Sequence, residues 1–180
     1  MGFFKDLVRR MQGLPTEKDV RNALDALQKQ IIMLNALAMS LDELNPPDDN
    51  GISLTFALRM DLMNFALHIA SSDGVLEPSE VDAINAFLGT NLSYSECKFA
   101  IEEMGLGSHA FSRELPISFE ILTRIMIGAD IDGRKFADNL ISTYRNLGAV
   151  IARVDGEVDP REMQNLDRYI GMLERYASTF

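Results

Sequence analysis

The sequence predicts an all-α protein: a multi-helix bundle with an internally duplicated helix–turn–helix unit and a long N-terminal helix. Three observations carry this. Apolar residues recur at helical spacing along most of the chain, no stretch of useful length alternates with the two-residue period of a strand, and one motif occurs twice. The motif is Asp73-Gly74-Val75-Leu76-Glu77-Pro78-Ser79-Glu80, which returns 82 residues later as Asp155-Gly156-Glu157-Val158-Asp159-Pro160-Arg161-Glu162. Both copies read Ala-x-x-Asp-Gly-x-apolar-acid-Pro-x-Glu, led by Ala70 and Ala152. The match extends outward through Phe65/Leu147 and Ile69/Ile151 before the motif, and Ile84/Leu166, Phe87/Tyr169 and Leu88/Ile170 after it.

Each copy explains itself locally as two helices joined by a tight turn. An apolar-periodic helix runs into Asp-Gly, where glycine takes the left-handed conformation that ends helices. Glu77 or Asp159 is then placed to cap the next helix, and proline fills its first position, where a missing N–H costs nothing. Glu80 and Glu162 fall three residues after the cap, the place of the glutamate in a capping box.

The remaining elements follow in order. Gly2 to Gln12 is a short amphipathic stretch, with Phe3, Phe4, Leu7, Val8 and Met11 opposite Lys5, Arg9 and Arg10. It suits docking on the body or a partner chain, and peripheral membrane association is the weaker reading. Gly13-Leu14-Pro15 breaks the chain, and a long helix then runs from Thr16-x-x-Asp19 to about Leu44. Its seam of Val20, Leu24, Leu27, Ile31, Leu34, Ala38 and Leu41 has heptad spacing, and Ile32, Met33, Leu37 and Met39 broaden it, as in a helix that enters a core. That seam can pair with the protein's own helices or with a second copy. Residues 46–52, rich in Pro, Asp, Asn and Gly, form a linker between an N-terminal segment (1–45) and the repeat-bearing domain (53–180).

Within that domain a helix from about Ser53 to Ser71 is apolar on two stripes, one of them Phe56, Met60, Met63 and Leu67, and is expected to be central. Its polar line is Asp61, Asn64 and His68, leading down to Asp73. Val150 is the repeat counterpart of His68, which argues against a symmetric histidine site and for a solvent-facing or hydrogen-bonded His68. A short helix ends at Gly89, Ser93-x-x-Glu96 opens another to Met104, and Pro116 begins one through Ile127. His109 sits in a loop with no acid at ligand spacing and is assigned nothing. Asp130-Ile131-Asp132-Gly133 reads as a turn. Residues 134–154 repeat the central helix, and a last helix reaches about Ala177.

Composition bounds the function. Of the net charge of −10, residues 1–50 contribute −2 and residues 51–180 contribute −8. Such a balance repels nucleic acid and anionic lipid and favours cations or basic partners. A single cysteine, Cys97, excludes an internal disulfide framework and fits a reducing cytoplasm, where it is expected as a packed thiol. No apolar run reaches the roughly 18 residues of a spanning helix. There is no phosphate loop, no Cys/His cluster and no nucleophile–base set, so catalysis is not expected.

What the acids do has two readings. One is turn and capping chemistry alone. In the other, Asp73, Glu77, Glu80, Asp155, Asp159 and Glu162 converge on a divalent cation, calcium or a similar hard ion that prefers carboxylate oxygens. The spacing is that of the second half of an EF-hand loop, but Ile69 and Ile151 stand where its first ligand is needed, which excludes an ordinary EF-hand. Two copies of Ala-x-x-Asp-Gly-x-apolar-x-x-x-Glu in an acidic helical chain resemble the tellurite-resistance TerB family, over about Phe56 to Leu173. The resemblance implies a helical bundle without catalysis, a bacterial role in stress or tellurite resistance, and an acidic surface that binds metal ions through the six positions above. The alternative is a helical interaction module, recruiting a protein partner or a second copy through its N-terminal helices, in which the acids only cap.

Overall fold

The computed structural model describes residues 17–47, 51–106, 115–129, 132–154 and 159–180. Among them are seven α-helices and no strand: α1 Glu17–Leu44, α2 Leu54–Ala70, α3 Pro78–Leu88, α4 Tyr94–Glu102, α5 Ile117–Gly128, α6 Gly133–Ile151 and α7 Pro160–Ala177. The amphipathic stretch 2–12, His109 and the Asp130-Ile131 pair lie outside the described residues, as does the side chain of Val20.

Local chemistry sets the boundaries. Proline starts α3 and α7, and Gly89 ends α3 with φ of 62°. Ser93 and Glu96 form the reciprocal capping box of α4, with the Ser93 amide donating to Glu96 Oε2 at 2.7 Å and the Glu96 amide to Ser93 Oγ at 3.2 Å. Asp132 caps α6 by accepting the Lys135 amide at 3.1 Å. The turn expected at residues 130–133 is therefore in part the start of the repeated helix.

Helix α2 is the axis of the bundle and touches each of the other six helices. The two copies of the motif are the pairs α2–α3 and α6–α7. They interlock, since α2 packs on α6 and α7, and α3 packs on α6. Among the described residues, the apolar positions matched between the copies are buried, from Phe65 and Leu147 to Leu88 and Ile170. Phe65, Tyr144 and Tyr169 meet at the centre, with ring centroids 4.7 to 6.0 Å apart. Gly148 lets α6 come this close, because a Cβ there would lie 2.5 Å from Leu166 Cδ1 and 3.0 Å from Phe65 Cζ. Phe56 departs from expectation. It lies in the first turn of α2, beyond the core, and is exposed.

Helix α1 lies along α2 and α6 and reaches α3. Leu27, Ile31, Leu34 and Ala38 of the expected seam are buried, with Leu24 and Leu41 packed beside them. Ile32, Met33 and Met39, by contrast, are 60%, 72% and 54% exposed. The second half of α1 contributes Ile31, Leu34 and Ala38 to the core on its inner side but is not buried around its whole girth. It presents an apolar outer side instead.

Asp42 ties α1 to the start of α2. Its Oδ1 accepts the Leu54 amide at 2.6 Å, while Oδ2 accepts the Thr55 amide at 2.9 Å and hydroxyl at 2.6 Å. Ser53 supplies the conventional cap to Phe56 at 3.1 Å. Burial works against the Asp42 charge, but the Thr55 hydroxyl and the Thr55 and Leu54 amides outweigh it and hold the carboxyl below its usual range. A depressed carboxyl stabilises the fold above its unfolded value and loses that contribution as pH falls through the folded one. Asp42→Ala is expected to cost about 1–2 kcal/mol at neutral pH, the worth of a good cap, and the deficit should shrink below about pH 4. Chemical denaturation at pH 7 and pH 3.5 checks this.

Candidate functional site

The duplicated corners are built alike at the start and differ in the details that matter. Helix α2 closes with the Ser71 and Ser72 amides bonded back to Leu67 and Ile69, and the Ser72 hydroxyl to the His68 carbonyl at 2.6 Å. The chain then reverses at Gly74, whose φ is 93°. Asp73 Oδ1 accepts the Val75 amide at 2.8 Å and pins the turn. Leu76 is buried, which pulls the chain back over the core and delivers Glu77 and Pro78 to the head of α3. At the second corner the Arg153 and Val154 amides close α6 in the same manner. Residues 155–158, including Asp155, lie outside the description. Asp159 and Pro160 then open α7.

The two glutamates at the third helical position meet. Glu80 and Glu162 are both buried, at 3% and 6% exposure, and the Glu80 carboxyl hydrogen-bonds the Glu162 carboxyl. Glu80 Oε2 also accepts the Glu77 amide at 2.7 Å, so the capping role and the contact between copies coexist in one side chain. Burial pushes the Glu80 carboxyl up. The Glu77 amide opposes this, but the charge and hydrogen bond of Glu162 and the nearby Asp73 add to the rise, and the value reaches about 8. At neutral pH Glu80 therefore holds a proton, and that proton joins two carboxyl groups, one from each copy.

The other three expected ligands among the described residues, Asp73, Glu77 and Asp159, are placed differently. Asp73 is half-buried and within electrostatic reach of both Glu80 and Arg161. Glu77 is exposed. Asp159 is occupied by its own helix start: its carboxylate accepts the Arg161 amide at 2.7 Å and the Arg161 guanidinium through Nε and a terminal nitrogen, each at 3.1 Å. That pairing holds Asp159 below its usual range. Among the described residues no group of three or more His, Cys, Asp or Glu side chains is placed so that it could hold a metal ion. Of the six positions, then, Glu80 and Glu162 touch, Asp73 stands beside them, Asp159 serves its own helix start, Glu77 is exposed, and Asp155 lies outside the described residues.

The donor set suits a hard cation in kind. Two buried carboxyls in contact supply oxygen ligands, and their mutual repulsion when ionised is relieved only by a proton or a cation. Arg161 is the residue that sequence reasoning missed. It stands at the next-to-last position of the motif, which Ser79 occupies in the first copy, and it brings a positive charge near Asp73 and Glu162.

No protein-family model matches this chain, and neither curated proteins nor solved structures give a match.

Two further polar residues have roles fixed by packing. His68 is buried, in the α2 face that approaches Tyr169, with ring centroids 6.4 Å apart. Cys97 is buried in α4, and burial followed by the Glu96 charge pushes its thiol up, away from the reactive thiolate. Among the described residues no helix is long and apolar enough to cross a membrane.

Proposed function

We propose that this chain is a non-catalytic, TerB-like helical protein whose duplicated corners take up a divalent cation at Glu80 and Glu162, with Asp73 at the rim. The observation that supports this reading is the contact of two buried carboxyls, one from each copy of the motif. A purely capping role needs each glutamate only at its own helix start and gives no reason for the two to meet. The likeness of the motifs to the TerB family supports a role in bacterial stress or tellurite resistance, and the acidic balance of residues 51–180 suits a cation as ligand.

Glu80 and Glu162 would hold the ion, and Asp73 would add charge from the turn. A cation entering there must displace the shared proton, so binding and proton release are coupled. Calcium at millimolar concentration is expected to raise the melting temperature of the intact chain at pH 8.5 by several degrees, and by much less at pH 6. Glu80→Gln and Glu162→Gln should each abolish the shift. Thermal melts with calcium, magnesium and chelator at both pH values provide the check. A wild-type melt that ignores all divalent ions at pH 8.5 leaves the glutamate pair as a proton-bridged joint and nothing more.

A further inference from the structure

The outer side of α1 carries a second seam. Lys29, Ile32, Met33, Ala36, Met39, Ser40 and Glu43 are all exposed. At 100° per residue they fall within a stripe about 120° wide, directly opposite the buried Leu27, Ile31, Leu34 and Ala38. The heptad step is kept, with Lys29, Ala36 and Glu43 in one register position and Ile32 and Met39 in another. The Ser40 hydroxyl donates to the Ala36 carbonyl at 3.0 Å, so it brings no unsatisfied donor to the stripe. Lys29 and Glu43 make no ion pair among the described residues, although ion pairs form elsewhere on this surface.

We propose that this outer seam pairs antiparallel with the same seam of a second copy, about a two-fold axis beside Ala36. The pattern of charge selects both the occupant and the direction. With Ala36 on the axis, a residue a given number of positions before it faces the one as many positions after it in the second copy. Lys29 then faces Glu43, Met33 faces Met39 and Ile32 faces Ser40, while Ala36 meets its own counterpart and lets the helices approach. A parallel pair would set Lys29 against Lys29 and Glu43 against Glu43. The seam is thus self-complementary in one direction only. The net charge of −10 speaks against an anionic membrane as occupant. The stripe is about 21 Å long and sits at the small end of specific interfaces, so the dissociation constant is expected on the order of 10–100 µM.

Sedimentation equilibrium of the full chain, from roughly 5 to 500 µM, tests this across the expected range. Wild type should dimerise. Ala36→Glu, which sets two carboxylates on the axis, should weaken the dimer at least about tenfold. Lys29→Glu and Glu43→Lys should each weaken it by about three- to tenfold, and the double variant K29E/E43K should restore it, because the pairs are then only reversed. Every substitution lies on an exposed position, and unchanged circular-dichroism melts confirm that the fold is intact. A wild type that stays monomeric throughout overturns the proposal, as does a dimer indifferent to Ala36→Glu. A double variant no better than the singles overturns the antiparallel register. A full-length monomer that dimerises only after removal of residues 1–13 assigns the seam to the chain's own N-terminal stretch, and that too overturns it.

Discussion

In chelator, Glu80→Gln melts higher than wild type at pH 8 and no higher at pH 4.5. The folded Glu80 carboxyl holds its proton up to about pH 8, whereas the unfolded chain gives it up near the ordinary glutamate value of 4.5. Between those values the native state binds a proton that the unfolded state lacks, so stability falls as pH rises through the window and levels off above it. Glutamine keeps the acceptor for the Glu77 amide and the partner for Glu162, but carries no charge to desolvate. At about 1.4 kcal/mol per unit the full shift corresponds to several kcal/mol, and water reaching the edge of the corner reduces this to about 2 kcal/mol. For a chain of this size that is roughly 4–8 °C. Glu162→Gln removes the neighbouring charge but not the burial of Glu80, so it should gain less at pH 8, and the double variant should gain less than the sum, because one contact is removed in each case. Equal slopes of stability against pH in wild type and Glu80→Gln would show that the two carboxyls do not share a proton.

Asp61→Ala is expected to be the most damaging single change described here. Asp61 lies on α2 with 8% exposure, and its Oδ2 accepts both the Ser118 amide at 2.7 Å and the Ser118 hydroxyl at 2.6 Å. Burial pushes this carboxyl up, and the two Ser118 bonds push it back toward the charged form. The pair fixes the first turn of α5 against the central helix from 57 residues away. Alanine leaves the amide and hydroxyl of a fully buried serine without an acceptor, at a cost of about 2–4 kcal/mol. Tyr169 provides the contrast. Its hydroxyl is buried near Asp61 and has no hydrogen-bond partner among the described residues. Tyr169→Phe should therefore change stability by less than about 0.5 kcal/mol, or raise it. Urea denaturation of the two variants decides the matter. Comparable losses would mean that the phenol, and not Ser118, is what Asp61 serves.

The helices were legible because their signals are local. Ser93 with Glu96, Pro78 and Pro160 at first helical positions, and Gly89 after the last apolar residue of α3 each mark a boundary, and each boundary falls where those residues imply. The corners were legible as corners for the same reason, and the meeting of Glu80 with Glu162 follows from reading the motif as duplicated. Asp155 lies outside the description. The sequence was silent where the partner is distant. Nothing near Asp61 indicates Ser118, and nothing near Asp42 indicates Leu54 and Thr55, since a carboxylate on a helix surface looks the same whether it faces water or another helix start. Arg161 escaped notice because the motif positions it occupies differ between copies. The outer side of α1 misled for a physical reason: apolar residues around the whole girth of a helix fit burial and fit an open second face equally well, and periodicity cannot separate them.

The interlocking of the two motif copies around α2 has a consequence for cooperativity. Each copy lends the other the surface on which its own first helix closes, and the aromatic centre draws Phe65 from one and Tyr144 and Tyr169 from the other. A duplicated sequence of this kind does not behave as an array that loses one unit at a time. Withdrawing either half strips the other of its interior, and the chain is bound to melt in a single step.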